Sequence, residues 1–302
     1  MTQIDLSIII ISYNTREILT DCVKSIVKYT KDLNYEIIIV DNGSKDGSLE
    51  RIKELSKKYS RVRLVDAKDN IGFGRGNNLG VRAAKGKYLL FLNSDTLVFD
   101  NAIKESLDKA RDNSQYGIFS CKLLNADRSI QASGGHFPTI GNVFAWQFFI
   151  DDLPLIGKLI PSFHPQLTSY DRDRQMDWIT GAFMIISKKT FNEVGGFDEN
   201  IFMYTEEMEL CYRLKKLGYQ TFYSVTPAII HLGGASGGSV FALTSEIKNM
   251  IYFWKKHKPG WQRPLVKIFF LFGSLLRLLI FGIIKGDEKA RRAYAQALRI
   301  IL

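Results

Sequence analysis

Two carboxylates, a pair of adjacent glutamates and one imidazole stand where the sequence leaves an apolar run or opens a helical one. Asp95 closes the run Tyr88–Leu92 through Asn93-Ser94-Asp95-Thr96, and Asp41 closes Ile37-Ile38-Ile39-Val40. In open α/β sheets, ligands bind beyond the carboxyl ends of the strands. An acceptor-rich turn at such an end is a default ligand contact, although the same turn is also an ordinary way for a strand to leave the core. Glu206 and Glu207 follow Thr205, a natural N-cap residue, and acidic side chains in a first turn suit the positive end of a helix on structural grounds alone. Glu209 is spaced to pair with Arg213 four residues on. His231 lies in the glycine-rich stretch His231-Leu232-Gly233-Gly234-Ala235-Ser236, where a lone histidine is more often structural than a ligand.

The elements that must hold these groups read as alternating strands and helices. Leu6–Ile11 is a continuous β-branched run, as expected of a parallel strand buried on both faces, and it ends at Ser12-Tyr13-Asn14. A helical pattern follows (Ile18, Leu19, Cys22, Ile26), then the strand ending at Asp41, a helix over Gly47–Tyr59, a strand over Val62–Val65 and a helix to about Ala84. That alternation predicts right-handed βαβ crossovers and a parallel sheet in the first hundred residues. The turn before the third helix, Asn70-Ile71-Gly72-Phe73-Gly74-Arg75-Gly76-Asn77-Asn78, has its third glycine one place too early for a dinucleotide fingerprint and follows the third strand, not the first. Its glycines and Asn77 are expected to let backbone approach a ligand and to cap a helix. Further on, Asp177–Ile186 reads as one apolar strand and Gln220–Val225 as another. Between them and the first half lies an irregular region, Asn125–Met176, with four of the seven prolines and the aromatics Phe144, Trp146, Phe148 and Phe149. Such a loop is either a binding loop or the cover of a short buried helix.

With 302 residues, 46% hydrophobic and 24% charged, the chain can bury a full core as one large or two small domains. Cys22, Cys121 and Cys211 fit no metal spacing and cannot all pair, which favours a reducing compartment. The amino terminus carries no basic, signal-like region, so the protein is expected to start in the cytosol. Residues 1–247 balance 29 Lys+Arg against 29 Asp+Glu, whereas 248–302 carry 12 against 2, which is the entire net charge of +10. Within that tail Leu265–Ile284 has about the length a bilayer-spanning helix needs, but Lys267 and Arg277 each cost about 2.5–3.5 kcal/mol at its centre. On a helical wheel Lys267, Ser274, Arg277, Lys285, Arg292 and Arg299 gather on one side, which predicts an interfacial helix with its basic stripe toward anionic headgroups. Packing against the core or a second copy of the chain, and true spanning, are the alternatives. Basic residues interleaved with Leu, Ile and Phe, with no nucleic-acid module, argue against nucleic acid as a partner.

Together the motifs resemble the inverting family 2 glycosyltransferases with the GT-A fold, and within them the bacterial rhamnosyltransferases of cell-surface polysaccharide synthesis. The matching stretches are Ser7–Asn14, Ile37–Ser48, Asn70–Gly80, Phe91–Thr96, Trp178–Leu217 and His231–Ser236, in the family's order. The resemblance implies that Ser12, Tyr13, Asn14 and Asp41 hold the base and ribose, with Gly72, Asn77, Asn93, Ser94 and Asp95 completing the nucleotide-sugar site. Asp41 would accept from the base N3–H, as uracil or thymine provides. Asn93-Ser94-Asp95 occupies the place of the Asp-x-Asp motif, so Asp95 and His231 would hold a divalent cation, Mg²⁺ or Mn²⁺. Asn93 stands where the family's first aspartate is usual, which leaves less charge for the cation. Trp178, Gly181 and Ala182 match the acceptor wall, and Glu206-Glu207 the acidic pair whose second member is the base, here Glu where Asp is usual.

The expected architecture is α/β: a GT-A domain over 1–240, with a nucleotide-binding half 1–100 and an acceptor-binding half 101–240, followed by a basic, apolar helical tail over 241–302. The expected activity is inverting transfer, best matched by L-rhamnose from dTDP-L-rhamnose onto a lipid-linked glycan, at the cytoplasmic face of the membrane as a peripheral protein. The rival readings are UDP-galactofuranose or another UDP-sugar as donor, and a non-catalytic nucleotide-sugar-binding protein.

Overall fold

The computed structural model describes residues 3–113, 115–153, 163, 165, 167–233 and 239–302. Part of the proline-rich stretch, with Pro154 and Pro161, and Gly234-Ala235-Ser236 of the glycine loop lie outside the described residues. The chain forms two compact units. The first comprises Met1–Gly134, Gln166–Phe202 and Glu206–Ser236; the second comprises Gly135–Pro165, Met203–Thr205 and Gly237–Leu302.

In chain order the elements are β1 (Leu6–Ser12), α1 (Arg16–Tyr29), β2 (Tyr35–Asp41), α2 (Ser48–Lys58), β3 (Val62–Asp66), α3 (Phe73–Ala83), β4 (Tyr88–Asn93), β5 (Thr96–Leu97), α4 (Ala102–Asp112) and β6 (Tyr116–Leu124). The chain then passes through β7 (Gly134–Gly135) and α5 (Ile140–Gln147). It continues with β8 (Arg174–Met176), β9 (Trp178–Ile179), β10 (Phe183–Ser187), α6 (Lys188–Glu193), α7 (Glu206–Lys216) and β11 (Gln220–His231). The remaining helices are α8 (Ser239–His257), α9 (Gln262–Arg277), which continues as a π-helical stretch over Leu278–Ile284, and α10 (Glu288–Ile301).

The main sheet of the first unit runs β3-β2-β1-β4-β10-β6-β11-β5, with β8 also paired to β11. Strands β3, β2, β1 and β4 are mutually parallel, and β10 enters antiparallel between β4 and β6. The β-branched residues Ile8, Ile9, Ile10, Ile37, Ile38 and Ile39 are buried on both faces, as a sheet covered by helices requires. One face packs against Leu19, Cys22, Val23 and Ile26 of α1 and Ile52 and Leu55 of α2. On α3, a Cβ at Gly80 would lie 2.6 Å from Ile9 Cγ2, so this glycine sets how closely the helix approaches the sheet.

Two strands differ from the sequence reading. The run Asp177–Ile186 is split into β9 and β10 by a turn at Thr180-Gly181-Ala182, because Thr180 N–H turns aside to donate to Ser133 O. The strand at Gln220 runs on to His231. A shift of register between Ser224 and Ala228 lets it continue along β6 and lie antiparallel to β5, with His231 opposite Thr96.

In the second unit the basic stripe expected on one long helix does not form. Gly286, at φ +67°, and Asp287, whose carboxylate accepts from Lys289 N and Ala290 N, end the helix and start α10, so Lys285 and Arg292 no longer share a continuous face. Ser274 and Arg277 also point inward, at 1% and 8% exposure. Arg277 donates to the main-chain carbonyls of Trp146 and Gln147 at the carboxyl end of α5, and its guanidinium lies 4.2 Å over the Phe149 ring. Gly273 makes room for that contact, since a Cβ there would stand 2.9 Å from Gln147 Cβ. Lys267 reaches Ile301 O at the end of α10. The cations thus satisfy helix-end carbonyls, and the outward row is apolar: Leu265, Ile268, Phe272, Leu275, Leu279 and Ile283.

Candidate active site

The parallel register brings the expected acceptors to one edge of the sheet. Ser12 is opposite Asp41 and Ile11 is opposite Asn93, so the ends of β2, β1 and β4 lie side by side. Strands about 4.8 Å apart place these residues within the span of a nucleotide.

Asp41 is 1% exposed. Its Oδ2 accepts from Gly43 N at 3.2 Å and Ser44 N at 3.1 Å, while its buried Oδ1 meets no hydrogen-bond partner among the described residues. A buried carboxylate oxygen without a donor is costly, which marks a place for one supplied from outside. Neighbouring groups are committed within the protein. Ser12 Oγ bonds Thr15 Oγ1, and Asn14 Oδ1 accepts from Lys45 N at 2.7 Å. Tyr13 is partly exposed between them. Gly72, at φ +86°, lets Phe73 N donate to Phe202 O; a Cβ at Gly72 would lie 2.3 Å from that oxygen. Asn77 does not cap α3. It lies a full turn inside the helix, 1% exposed, and donates to Phe73 O.

At the end of β4, Asn93, Ser94 and Asp95 face the end of β11. His231 Nε2 stands 3.3 Å from Asp95 Oδ1 and 3.2 Å from Asn93 Nδ2. Its Nδ1 lies 2.6 Å from Gln131 Oε1. Gln131 falls in the irregular region and was not among the residues singled out by sequence; the polar run Asn125–Gln131 directly after β6 is the one signal it offered. The expected acceptor wall is adjacent, since Asn93 N donates to Ala182 O, and Gly181 leaves room for the Phe73 ring. Trp178 is partly exposed on β9. Among the described residues, no group of three or more His, Cys, Asp or Glu forms a ready metal cluster. Asp95 and His231, one carboxylate and one imidazole, nevertheless form the kind of two-ligand start to which a ligand's phosphate oxygens can be added.

Glu206 and Glu207 open α7. Glu206 is 3% exposed, and burial first, then the Glu207 carboxylate beside it, hold its carboxyl well above the usual carboxylate range. Glu207 is partly accessible. Thr205 does not act as the expected N-cap. It sits at φ +70°, next to Tyr204 at +67°, and its Oγ1 has no partner among the described residues. Two successive left-handed residues, one of them β-branched, store strain. Glu209 pairs with Arg213 at 2.8 Å, as its spacing predicts. All three cysteines are buried and unpaired, and burial pushes the Cys22 and Cys211 thiols up to about 12.

The sequence signature described as "Glycosyl transferase family 2" matches residues 7–147, which contain the ends of β1, β2 and β4. These residues are a family 2 glycosyltransferase domain. Beyond that span the glycosyltransferase is 26% identical over 251 residues to an N-acetylglucosaminyl-diphospho-decaprenol L-rhamnosyltransferase of Mycobacterium tuberculosis, covering 76% of this chain and 78% of the relative. It is 28% identical over 226 residues to rhamnosyltransferase WbbL of Escherichia coli, covering 70% and 78%. Among solved structures it resembles GalNAc-T7 with UDP, GalNAc and Mn²⁺ at TM-score 0.64 and 16% identity, covering 99% of this chain and 56% of the other. It also resembles the mannosyltransferase PcManGT of Pyrobaculum calidifontis with GDP-mannose and Mn²⁺, at TM-score 0.58 and 12% identity, covering 100% and 86%. At those identities the structures establish the GT-A type of fold.

Proposed function

We propose that this glycosyltransferase moves L-rhamnose from dTDP-L-rhamnose to a lipid-linked glycan with inversion, at the cytoplasmic face of the membrane. The observation that carries the nucleotide reading is the buried, unpartnered Oδ1 of Asp41 at the end of β2. An N3–H donor, which uracil and thymine have, would satisfy it. The names of the two relatives supply the choice of rhamnose, and that of the Mycobacterium tuberculosis relative the choice of a lipid diphosphate acceptor.

The site fits a divalent cation, since Asp95 Oδ1 and His231 Nε2 are 3.3 Å apart with the Asn93 amide beside them. Bound with the donor diphosphate, such an ion would offset the charge that develops on the leaving group. Glu207 takes the proton of the acceptor hydroxyl as it attacks the anomeric carbon from the face opposite the diphosphate, which inverts the centre. Glu206 is the second choice, since burial and the Glu207 carboxylate hold its carboxyl above the usual range, toward the protonated form that cannot take a proton. Trp178, Gly181 and Ala182 bound the acceptor.

The membrane reading is supported by the outward apolar row of α9 and its π-helical continuation. This stretch, Gln262–Ile284, is long and apolar enough to cross a bilayer by length and composition. Arg277 ties the helix to α5, which favours lying in the interface over spanning, and Lys258, Arg263 and Lys285 flank the row for anionic headgroups.

A thermal-shift screen of dTDP-, UDP- and GDP-sugars with and without Mn²⁺, followed by NMR of the product anomer, tests the donor and the stereochemistry. The largest shift is expected with dTDP-L-rhamnose, and a preference for GDP-sugars would contradict the role given to Asp41.

A further inference from the structure

A run of polar side chains after β6 is used by none of the roles above. Gln131 Oε1 lies 2.6 Å from His231 Nδ1. Gln131 Nε2 donates to Asn125 Oδ1 at 2.9 Å and to the main-chain oxygen of His231 at 3.2 Å. Asn125 Nδ2 donates to Ser129 Oγ at 2.9 Å, and Ser129 Oγ donates to Asp127 Oδ1 at 2.6 Å. Asp127 ends the chain on a carboxylate, which only accepts; the Ser129 hydroxyl and main-chain N–H hold its carboxyl below the usual range.

That terminus gives the chain one direction. Ser129 spends its single hydroxyl proton on Asp127, so it must accept from Asn125. Asn125 must then turn its amide nitrogen to Ser129 and its oxygen to Gln131. Gln131 in turn gives both N–H groups to oxygens, one of them a carbonyl, and has only Oε1 left for the histidine. Reversing either amide would set donor against donor or oxygen against oxygen. An acceptor at Nδ1 requires the proton there, and a neutral imidazole then carries its lone pair on Nε2, between Asn93 Nδ2 and Asp95 Oδ1.

We infer that Gln131, oriented through Asn125 and Ser129 by Asp127, is a positioning residue that fixes His231 as the Nδ1–H tautomer and aims the Nε2 lone pair at Asp95. Nε2 and the Asp95 carboxylate then point two electron pairs at one spot, with Asn93 N–H as the stand-in donor to Nε2. Partners of this kind behind a ligating histidine typically govern metal affinity by about 10–100-fold. The consequence for metal binding rests on the cation reading above; the tautomer does not.

The experiment uses the full chain labelled with ¹⁵N-histidine at pH 8, without metal, and a long-range ¹H–¹⁵N correlation spectrum. His231→Gln identifies the signal among the four histidines. The wild type is expected to show a protonated Nδ1 and a bare Nε2, and Gln131→Met to shift His231 toward the Nε2–H form. Asp127→Ala, on the exposed side of the loop, leaves the core untouched and should mix the two tautomers. Mn²⁺ titration followed by electron paramagnetic resonance should show affinity about 10–100-fold weaker in Gln131→Met than in the wild type. An Nε2–H tautomer in the wild type, or the same tautomer in Gln131→Met or Asp127→Ala as in the wild type, overturns the inference. A wild type that takes up no Mn²⁺ would instead sink the cation reading, and the spectra would still decide the tautomer.

Discussion

Asn93 Nδ2 stands 3.2 Å from His231 Nε2, so a neutral amide, not a second carboxylate beside Asp95, faces the imidazole. The amide can donate to the ring but adds no charge to the site. Asn93→Asp is therefore expected to tighten Mn²⁺ binding about tenfold, because affinity for a hard cation follows the number of charged ligands. Isothermal titration with Mn²⁺ measures this, and unchanged affinity would place the cation elsewhere.

Glu207→Gln keeps the shape of α7 and removes the proposed proton acceptor. Transfer should fall about 10²–10⁴-fold in kcat, while the dTDP-sugar thermal shift stays as in the wild type. Near-normal turnover with intact donor binding would move the role to Glu206.

Glu206 gives a prediction for pH and stability. Its folded-state carboxyl is held above its unfolded value, by burial first and then by Glu207. The folded state therefore binds the proton more tightly, and the contribution is complete below the ordinary glutamate value of about 4.3 and is lost as pH rises through the folded value. Glu206→Gln should flatten this decline, so that the variant gains on the wild type as pH rises above the carboxylate range. Urea melts across pH 4–8 test it, and parallel curves would show that the carboxyl is not buried as described.

Arg277 should matter for folding of the second unit. Arg277→Leu leaves the Trp146 and Gln147 carbonyls without donors and should cost about 1–3 kcal/mol. Denaturant titration reports the loss. A neutral result would mean that those carbonyls find water.

Replacing Ile268, Phe272, Leu275 and Leu279 by serine should leave the melting temperature nearly unchanged, since these side chains are exposed, and abolish sedimentation with anionic vesicles. If the wild type stays in the supernatant and light scattering shows a dimer that the quadruple variant loses, the row is a contact between copies.

Much of the sheet edge was legible because Leu6–Ile11 and Ile37–Val40 are unbroken β-branched runs whose ends can be read off, and parallel register then brings Ser12, Asp41 and Asn93 together. The Glu209–Arg213 pair was legible from helical spacing. What escaped depended on contacts distant in sequence. Gln131 is 100 residues from His231 and sits in a stretch without periodicity. Thr205 looked like a cap, but its backbone is left-handed, and no side-chain type announces that. The helical wheel placed Arg277 toward headgroups because it assumes that a cation faces outward; here two main-chain carbonyls at the end of α5 draw it in.

The inverted polarity of α9 also bears on kinetics. An enzyme held by that row would search for a lipid-linked acceptor in two dimensions. Its rate would then follow the mole fraction of acceptor in the bilayer: adding inert lipid at fixed total acceptor would slow transfer, and adding buffer would not.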